Sequence, residues 1–321
     1  MEKQTFEWKR MAIGVNRARP VNTNMAADDD TELGEELDGT ETSREDAERR
    51  TIEIDLLLEG IYRMYGFDYR HYSRPSIQRR ILHRASMDKF ATITALTERV
   101  LHDPAVLARL LDDFSIKVTE MFRDPEFFLA LRRHVLPELR HLPEIRIWHA
   151  GCSTGEEAYS MSILLHEEGL LHKAKLYATD MNERAVAQAR EGKLLLKRMQ
   201  GFTRNYMQAG GRAEFSQYYT TDFQYARLRP QVLEPIVFAQ HNLATDRSFN
   251  EFHLILCRNV MIYFDPTLQN RVHELFHESL GAHGFLCLGS KESLGNMPVR
   301  EKYEDIAAAE RIYRLRPRPR E

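Results

Sequence analysis

The chain has few cysteines and no long apolar run, and each shortage excludes a class of protein. Three of its 321 residues are cysteines, without metal-ligand spacing around them. These numbers exclude a disulfide scaffold and predict no metal site. No apolar run approaches the roughly 20 residues of a transmembrane helix, and the start of the chain lacks a signal-peptide core. We expect a cytoplasmic protein without a membrane-inserted segment.

The cysteines themselves lie in or beside apolar segments. We expect reduced, buried thiols at Cys152, Cys257 and Cys287. A catalytic cysteine is the alternative for Cys152, because it borders the glycine-containing loop described below.

Charge is unevenly distributed along the chain, although the net charge is only −3. Residues 25–48 hold eleven carboxylates and one arginine, whereas residues 63–89 hold seven lysines and arginines and two aspartates. Residues 1–50 have little apolar periodicity, so they cannot bury enough surface to offset the entropy lost on ordering. We predict a disordered acidic tail over 1–50. It serves either as a solubilising leader or as an autoinhibitory arm that competes with an acidic substrate.

Two patterns follow the tail. In residues 51–115 apolar side chains recur at helical spacing, which predicts a small all-helical domain. Asp124-Pro125 then predicts a helix start with a capping carboxylate, so we assign 116–141 to a linker and a connecting helix.

From residue 142 to 321 short β-prone runs alternate with helical segments. The predicted strands are 145–149, 175–178, 236–239, 253–257 and 285–288, and the predicted helices are 157–168, 182–191 and 267–280. Such alternation predicts an α/β fold with a doubly wound, mainly parallel, Rossmann-like sheet. It breaks at about 192–235, where aromatic residues are dense, so we expect an inserted subdomain with a helix and a small antiparallel sheet.

Polar residues follow successive predicted strands. Gly151 begins a glycine-containing loop after the first strand, Asp180 ends the second, and Asn242 and Arg258 follow the next two. Parallel strands bind ligands at their carboxyl ends, and a carboxylate after the second strand suits ribose hydroxyls. The alternatives are a tight structural turn at Gly151 and a helix-capping role for Asp180.

Four blocks in this order resemble the CheR chemotaxis-receptor methyltransferases, over about residues 53–314. The blocks are Thr119-Glu120-Met121-Phe122-Arg123-Asp124, Ser153-Thr154-Gly155-Glu156-Glu157 with Tyr159-Ser160, Ala178-Thr179-Asp180, and Cys257-Arg258-Asn259-Val260-Met261-Ile262-Tyr263-Phe264. The resemblance implies an S-adenosylmethionine-binding catalytic domain over 142–321, with S-adenosylhomocysteine as product.

The resemblance also implies site residues. Cofactor binding is expected at Thr119, Arg123, Glu157, Asp180, Asn242, Leu243, Arg258 and Asn259. Glu156 is a further candidate because an alignment can shift by one within the paired glutamates. Arg123 and Tyr263 match positions close to the transferred methyl group, and they are the expected catalytic residues. Lys117 stands where the family usually has asparagine, so one expected cofactor contact differs.

The implied reaction is the esterification of glutamate side chains on the cytoplasmic helices of a chemoreceptor, which tunes adaptation. A glutamate with a pKa of about 4.3 is ionised at neutral pH, so the reaction needs no general base. Arg123 is then expected to orient a carboxylate and Tyr263 to shape the methyl channel; the alternatives are an interdomain ion pair for Arg123 and a core position for Tyr263.

Partners follow from the same reasoning. The arginines at positions 63, 70, 74, 79, 80 and 84 are expected either to face an acidic receptor or to form a solvated surface. We expect a monomer that does not bind nucleic acid. The alternative functions are a non-catalytic cofactor-binding regulatory module and a methyltransferase with another substrate.

Overall fold

The computed structural model describes residues 40–114, 119–295 and 297–317. Its first part is helical, as predicted, and consists of α1 (Thr40–Tyr65), α2 (Arg74–Met87), α3 (Ile93–His102) and α4 (Pro104–Phe114). Leu57, Ile61, Ile81, Leu96 and Leu110 are fully buried among these helices. Leu57 and Ile61 both belong to α1, and their spacing of four residues places them on one face of that helix.

The start of α1 differs from the predicted disordered tail. Residues 1–39 lie outside the described residues. Residues 40–50 are helical, so α1 begins eleven residues before the predicted start of the helical domain at residue 51. Residues 44–50 are exposed, so burial in the core does not stabilise this part of α1. Helix-favouring residues and the ion pair between Arg49 and Asp46 at 3.4 Å support the helix instead.

The connecting helix runs over α5 (Pro125–Ala130), a π-helical turn (Leu131–Val135) and α6 (Leu136–Leu139). The predicted capping role of Asp124 is wrong, because its side chain makes no cap hydrogen bond. Asp124 has a φ of 55°, and its carboxylate instead accepts a hydrogen bond from Arg258. A buried guanidinium offers the carboxylate a charged partner, which is stronger than a neutral backbone donor.

The rest of the chain forms the predicted α/β fold. Its central strands are β1 (Ile145–Ala150), β2 (Ala174–Asp180), β6 (Ile236–Gln240), β7 (Phe252–Cys257) and β8 (Leu280–Leu288), and the helices between them are α7 (Glu156–Glu167), α8 (Glu183–Glu191) and α11 (Pro266–Ser279). As predicted, Asp265 opens the last of these helices: its side chain accepts from the backbone N–H of Leu268 at 2.8 Å.

Two further strands, β9 (Tyr303–Ala307) and β10 (Ile312–Leu315), were not predicted. In the described residues they complete a main sheet of seven strands, in the order β6-β2-β1-β7-β8-β10-β9. β10 runs antiparallel to both neighbours, and the other pairings are parallel. Both strands are short, so their sequence pattern was weak. Apolar clusters cover both faces of the sheet.

The inserted segment contains the predicted helix and antiparallel sheet. It consists of β3 (Lys193–Leu195), α9 (Met199–Gln208), β4 (Tyr219–Thr221), β5 (Tyr225–Leu228) and the short helix α10 (Pro230–Leu233). The three strands pair antiparallel in the order β3-β5-β4. Tyr206 stacks on Phe215 with ring centroids 4.9 Å apart, so the aromatic residues form the core of this segment.

Within the described residues, no helix combines the length and the apolar character that crossing a membrane requires.

Candidate active site

A cavity lies at the carboxyl ends of the central strands. Nine of the ten residues predicted for the site line it: Thr119, Arg123, Glu157, Asp180, Asn242, Leu243, Arg258, Asn259 and Tyr263. Glu156 does not line it, and Lys117 lies outside the described residues. The structure therefore brings the predicted positions together from five separate segments, while their individual roles stay predictions.

The loops after β1 and β7 touch at the centre of the cavity wall. Gly151 has a φ of 83°, and a Cβ atom there would lie 2.5 Å from Cγ2 of Val260. A larger residue would force the loops apart, so the glycine serves this close approach. Ser153 and Asn259, with φ of 49° and 61°, are strained residues of the same two loops. Such strain persists only where the surrounding contacts hold it, and it clusters at functional sites.

Asp180 ends β2 and closes one side of the cavity. Its two carboxylate oxygens accept the backbone N–H groups of Ser153 and Asn182, both at 2.9 Å. The cap of α8 is Asn182, whose side chain accepts from Arg184 and Ala185. A capping role for Asp180 is therefore excluded. Burial raises the pKa of Asp180, and the backbone hydrogen bonds offset only part of that shift.

A charged network forms the floor of the cavity. Arg258 donates to Asp124 at 2.7 Å and to Glu157 at 3.2 Å, and its guanidinium lies 3.9 Å from the ring centre of Phe127. Glu157 also bonds to Nδ1 of the fully buried His149 at 3.0 Å. Burial alone would raise the pKa of Glu157, but His149 and the charge of Arg258 outweigh it and hold that pKa below its ordinary value.

Glu156 has a different environment on the other side of the same helical turn. It is 4% exposed, accepts the Thr154 hydroxyl at 2.7 Å, and lies 3.6 Å from a guanidinium nitrogen of Arg198. Burial raises its pKa. The paired glutamates are thus distinguished by position: Glu157 faces the cavity, and Glu156 faces the inserted segment.

The inserted segment also holds the loop that carries Thr119 and Arg123. Arg198 donates to the carbonyl of Thr119, and Asn205 donates to that of Met121 at 3.1 Å. From α7, the hydroxyl of Ser160 accepts the backbone N–H of Phe122 at 2.8 Å. Side chains from the inserted segment and from α7 therefore fix this loop at the cavity edge.

The helical domain contributes a wall that the sequence did not reveal. Tyr69, Tyr72 and Phe114 line the cavity. The backbone of Tyr72 forms an antiparallel bridge with Phe264, and Ser73 donates its N–H to the carbonyl of Tyr263 at 2.7 Å. Tyr69 and Tyr72 lie between α1 and α2, and Phe114 ends α4. The sequence pattern does not indicate which domain such aromatic residues contact, so only the folded structure identifies them.

The six arginines expected either to face an acidic receptor or to form a solvated surface are mostly paired inside the helical domain. Four of its arginines form ion pairs there: Arg63 with Glu59, Arg70 with Asp68 and Glu59, Arg74 with Asp55, and Arg84 with Asp88 and Asp113. Arg80 donates to the carbonyl of Phe114 and lies 5.4 Å from the ring centre of Tyr263. Arg79 is exposed and has no ion pair among the described residues. A solvated, internally paired surface describes most of this region.

All three cysteines are free and buried, as predicted. Cys152 lines the cavity, but burial raises its pKa well above the ordinary value. A thiol kept protonated is a poor nucleophile, so this environment speaks against the alternative of a catalytic Cys152.

Comparison with known proteins agrees with the predicted resemblance. Residues 117–309 match the family described as "CheR methyltransferase, SAM binding domain", and residues 52–115 match "CheR methyltransferase, all-alpha domain". The chain is 49% identical over 269 residues to the putative methyltransferase Cher3 of Pseudomonas putida, covering 84% of this chain and 98% of that protein. It is 27% identical to a chemotaxis protein methyltransferase of Listeria monocytogenes, covering 74% of this chain and 88% of that protein.

A solved structure, the N-methyltransferase NodS of Bradyrhizobium japonicum with S-adenosyl-l-homocysteine, is 16% identical. The likeness covers 63% of this chain and 90% of that one, with a TM-score of 0.33.

Proposed function

This chain belongs to the CheR methyltransferase family, and we propose that it transfers the methyl group of S-adenosylmethionine to glutamate side chains of a chemoreceptor's cytoplasmic domain. The family supplies the cofactor and the reaction type. The acceptor is the proposed part, and it is motivated by relatives named chemotaxis protein methyltransferase.

The donor set around the cavity fits S-adenosylmethionine, which carries ribose hydroxyls, an ammonium and a carboxylate. Carboxylates of Asp180 and Glu157 line the cavity together with the amides of Asn242 and Asn259 and the guanidinium of Arg123. We assign the ribose to Asp180, because its carboxylate lies at the end of the second strand of a Rossmann-like sheet. Glu157 carries the negative charge that suits an ammonium, and Leu243 is an apolar neighbour for the adenine.

When bound, S-adenosylmethionine supplies an electrophilic methyl group on a cationic sulfur, which an ionised glutamate accepts without a general base. The task of the protein is then to align the carboxylate and to exclude water. Arg123 has the charge to orient that carboxylate or the carboxylate of the cofactor. Tyr263 and the aromatic wall from the helical domain restrict the space beside it.

One observation carries this proposal: nine positions implied by the family resemblance, from five segments, line a single cavity. A chance similarity of separate blocks would not predict that convergence. A regulatory module without activity would have no need for Arg123 and Tyr263 in the same cavity.

The test is transfer of radiolabelled methyl groups to receptor cytoplasmic domains, followed by mild alkali. We expect label that alkali releases as methanol, and no label on the same domains with their acceptor glutamates replaced by glutamine. Arg123→Ala should lower turnover at least about tenfold, whereas the matched exposed variant Arg79→Ala should keep it. Cofactor binding without label on any receptor would contradict the proposed acceptor, and normal turnover of Arg123→Ala would contradict the assigned role.

A further inference from the structure

Glu292 lies behind the cavity wall and bonds to the loop that forms it. It follows β8 in the chain and is 5% exposed. Its Oε1 accepts the backbone N–H groups of Val260 at 2.9 Å, Met261 at 2.8 Å and Ile262 at 3.3 Å. Its Oε2 accepts those of Asn259 at 2.8 Å and of Gly289 at 2.6 Å. One buried carboxylate thus receives four consecutive N–H groups of residues 259–262, and a fifth from its own loop.

These hydrogen bonds hold an unusual backbone conformation. Asn259 has a φ of 61°, and a short 3₁₀ turn (Met261–Tyr263) begins two residues after it. Successive N–H groups that converge in such a turn form a concave site that attracts an anion. Without the carboxylate, these four backbone N–H groups would lose the acceptor that they share.

The loop that contains Glu292 packs closely against the loop of residues 259–262. A Cβ atom at Gly289 would lie 2.6 Å from Oε2 of Glu292 and 2.7 Å from the backbone nitrogen of Asn259. Leu294, which is fully buried, anchors the loop two residues after Glu292. From the other side, Gln269 donates to the carbonyls of Met261 at 2.9 Å and Phe264 at 3.1 Å. The loop is therefore held through its N–H groups by Glu292 and through its carbonyls by Gln269.

The same loop forms part of the cavity wall. Asn259, Val260, Tyr263 and Phe264 line the cavity, while Glu292 does not. We propose that Glu292 is a positioning residue, which fixes the backbone of residues 259–262 so that Asn259 and Tyr263 lie where the cofactor and the methyl channel require them. This inference rests on the cofactor of the family and on the assigned site, and not on which protein accepts the methyl group.

The first experiment measures S-adenosylmethionine affinity by calorimetry, well below the melting temperature of each variant. Glu292→Gln keeps the size of the side chain but replaces one acceptor oxygen by an NH₂ group that faces N–H donors. We expect its affinity to fall about thirtyfold, because charged hydrogen bonds to the loop are lost. Glu292→Asp, which keeps the charge on a shorter stem, should bind better than Glu292→Gln. The matched control is Glu301→Gln, an exposed glutamate nine residues later, which should bind normally.

A purely structural role predicts a different result: a lower melting temperature without cofactor and an unchanged affinity of the folded molecules. A folded Glu292→Gln variant that binds S-adenosylmethionine within twofold of the wild type would therefore overturn the proposal.

A second measurement uses the wild-type protein, so it does not depend on a variant that folds. Hydrogen exchange at the amides of residues 259–262 should be slow without cofactor and slower still with saturating S-adenosylmethionine, because coupling between loop and cofactor is reciprocal. Fast exchange there, or exchange that the cofactor leaves unchanged, would contradict the proposal. Neither experiment involves a receptor, so failure of receptor methylation would not affect them.

Discussion

Arginine–carboxylate pairs in two regions of this molecule, the cavity floor and the helical domain, differ in their burial. On the floor of the cavity the side chain of Arg258 is 3% exposed and contacts both Asp124 and Glu157. In the helical domain the side chains of Arg74 and Asp55 are 45% and 51% exposed. Exposed pairs contribute little because water screens them, whereas a buried charge that loses its partner is left without solvation. The number of arginines in a segment thus says less about their role than their burial does.

The largest expected effect comes from removing the buried guanidinium. Arg258→Met leaves Glu157 and Asp124 without their shared cation, so we expect the free energy of unfolding to fall by about 3 kcal/mol. The matched surface change Arg74→Met should lower it by less than about 1 kcal/mol. Chemical denaturation of both variants measures the difference. Equal losses would show that burial does not distinguish the two regions.

A second expected effect concerns how Glu157 and its neighbour Glu156 change the stability of the protein at acidic pH. The pKa of Glu157 is lower in the folded protein than in the unfolded chain, so its stabilisation is complete above the unfolded value of about 4.5. It is lost as pH falls through the lower folded value. The stability difference between wild type and Glu157→Gln should therefore shrink as pH falls below about 4.5.

Glu156 provides the control for that experiment, because burial raises its pKa. Its charged form opposes folding, so the wild type gains stability relative to Glu156→Gln as pH falls through the raised folded value. Denaturation curves from pH 3 to 7 measure both differences. The same pH trend for the two variants would contradict the opposite environments of these neighbours.

The smallest expected effect concerns the surface of the helical domain. Because most of its arginines are paired internally, we expect receptor methylation to fall less than about threefold between low and moderate salt. Arg79→Ala should change the rate less than about twofold. Initial rates at several salt concentrations test both expectations. A steep fall with salt would instead support electrostatic guidance of an acidic receptor.

Much of the fold could be predicted from local pattern. The five central strands and the helices after them lie within a few residues of their predicted places, because periods of 2 and 3.6 residues reflect burial directly. The pattern failed where burial was not the cause, as in the exposed start of α1, and where strands were short, as in β9 and β10. Asp124 satisfied the local rule for a helix cap, but a partner 134 residues away determined its contact.

By itself, the sequence determined the α/β fold, the helical domain before it, the family, and nine residues that meet in one cavity. Only the tertiary structure decided which of two adjacent glutamates faces that cavity and which arginines are already paired. It also decided that Tyr72 lines the cavity and that Glu292 holds the loop of residues 259–262 from behind the wall. The physical reason is that a residue's neighbours along the chain fix its secondary structure. Contacts between residues far apart in the sequence depend on how the helices and strands pack. The hydrogen bond between Glu292 and Val260, which are 32 positions apart, is an example.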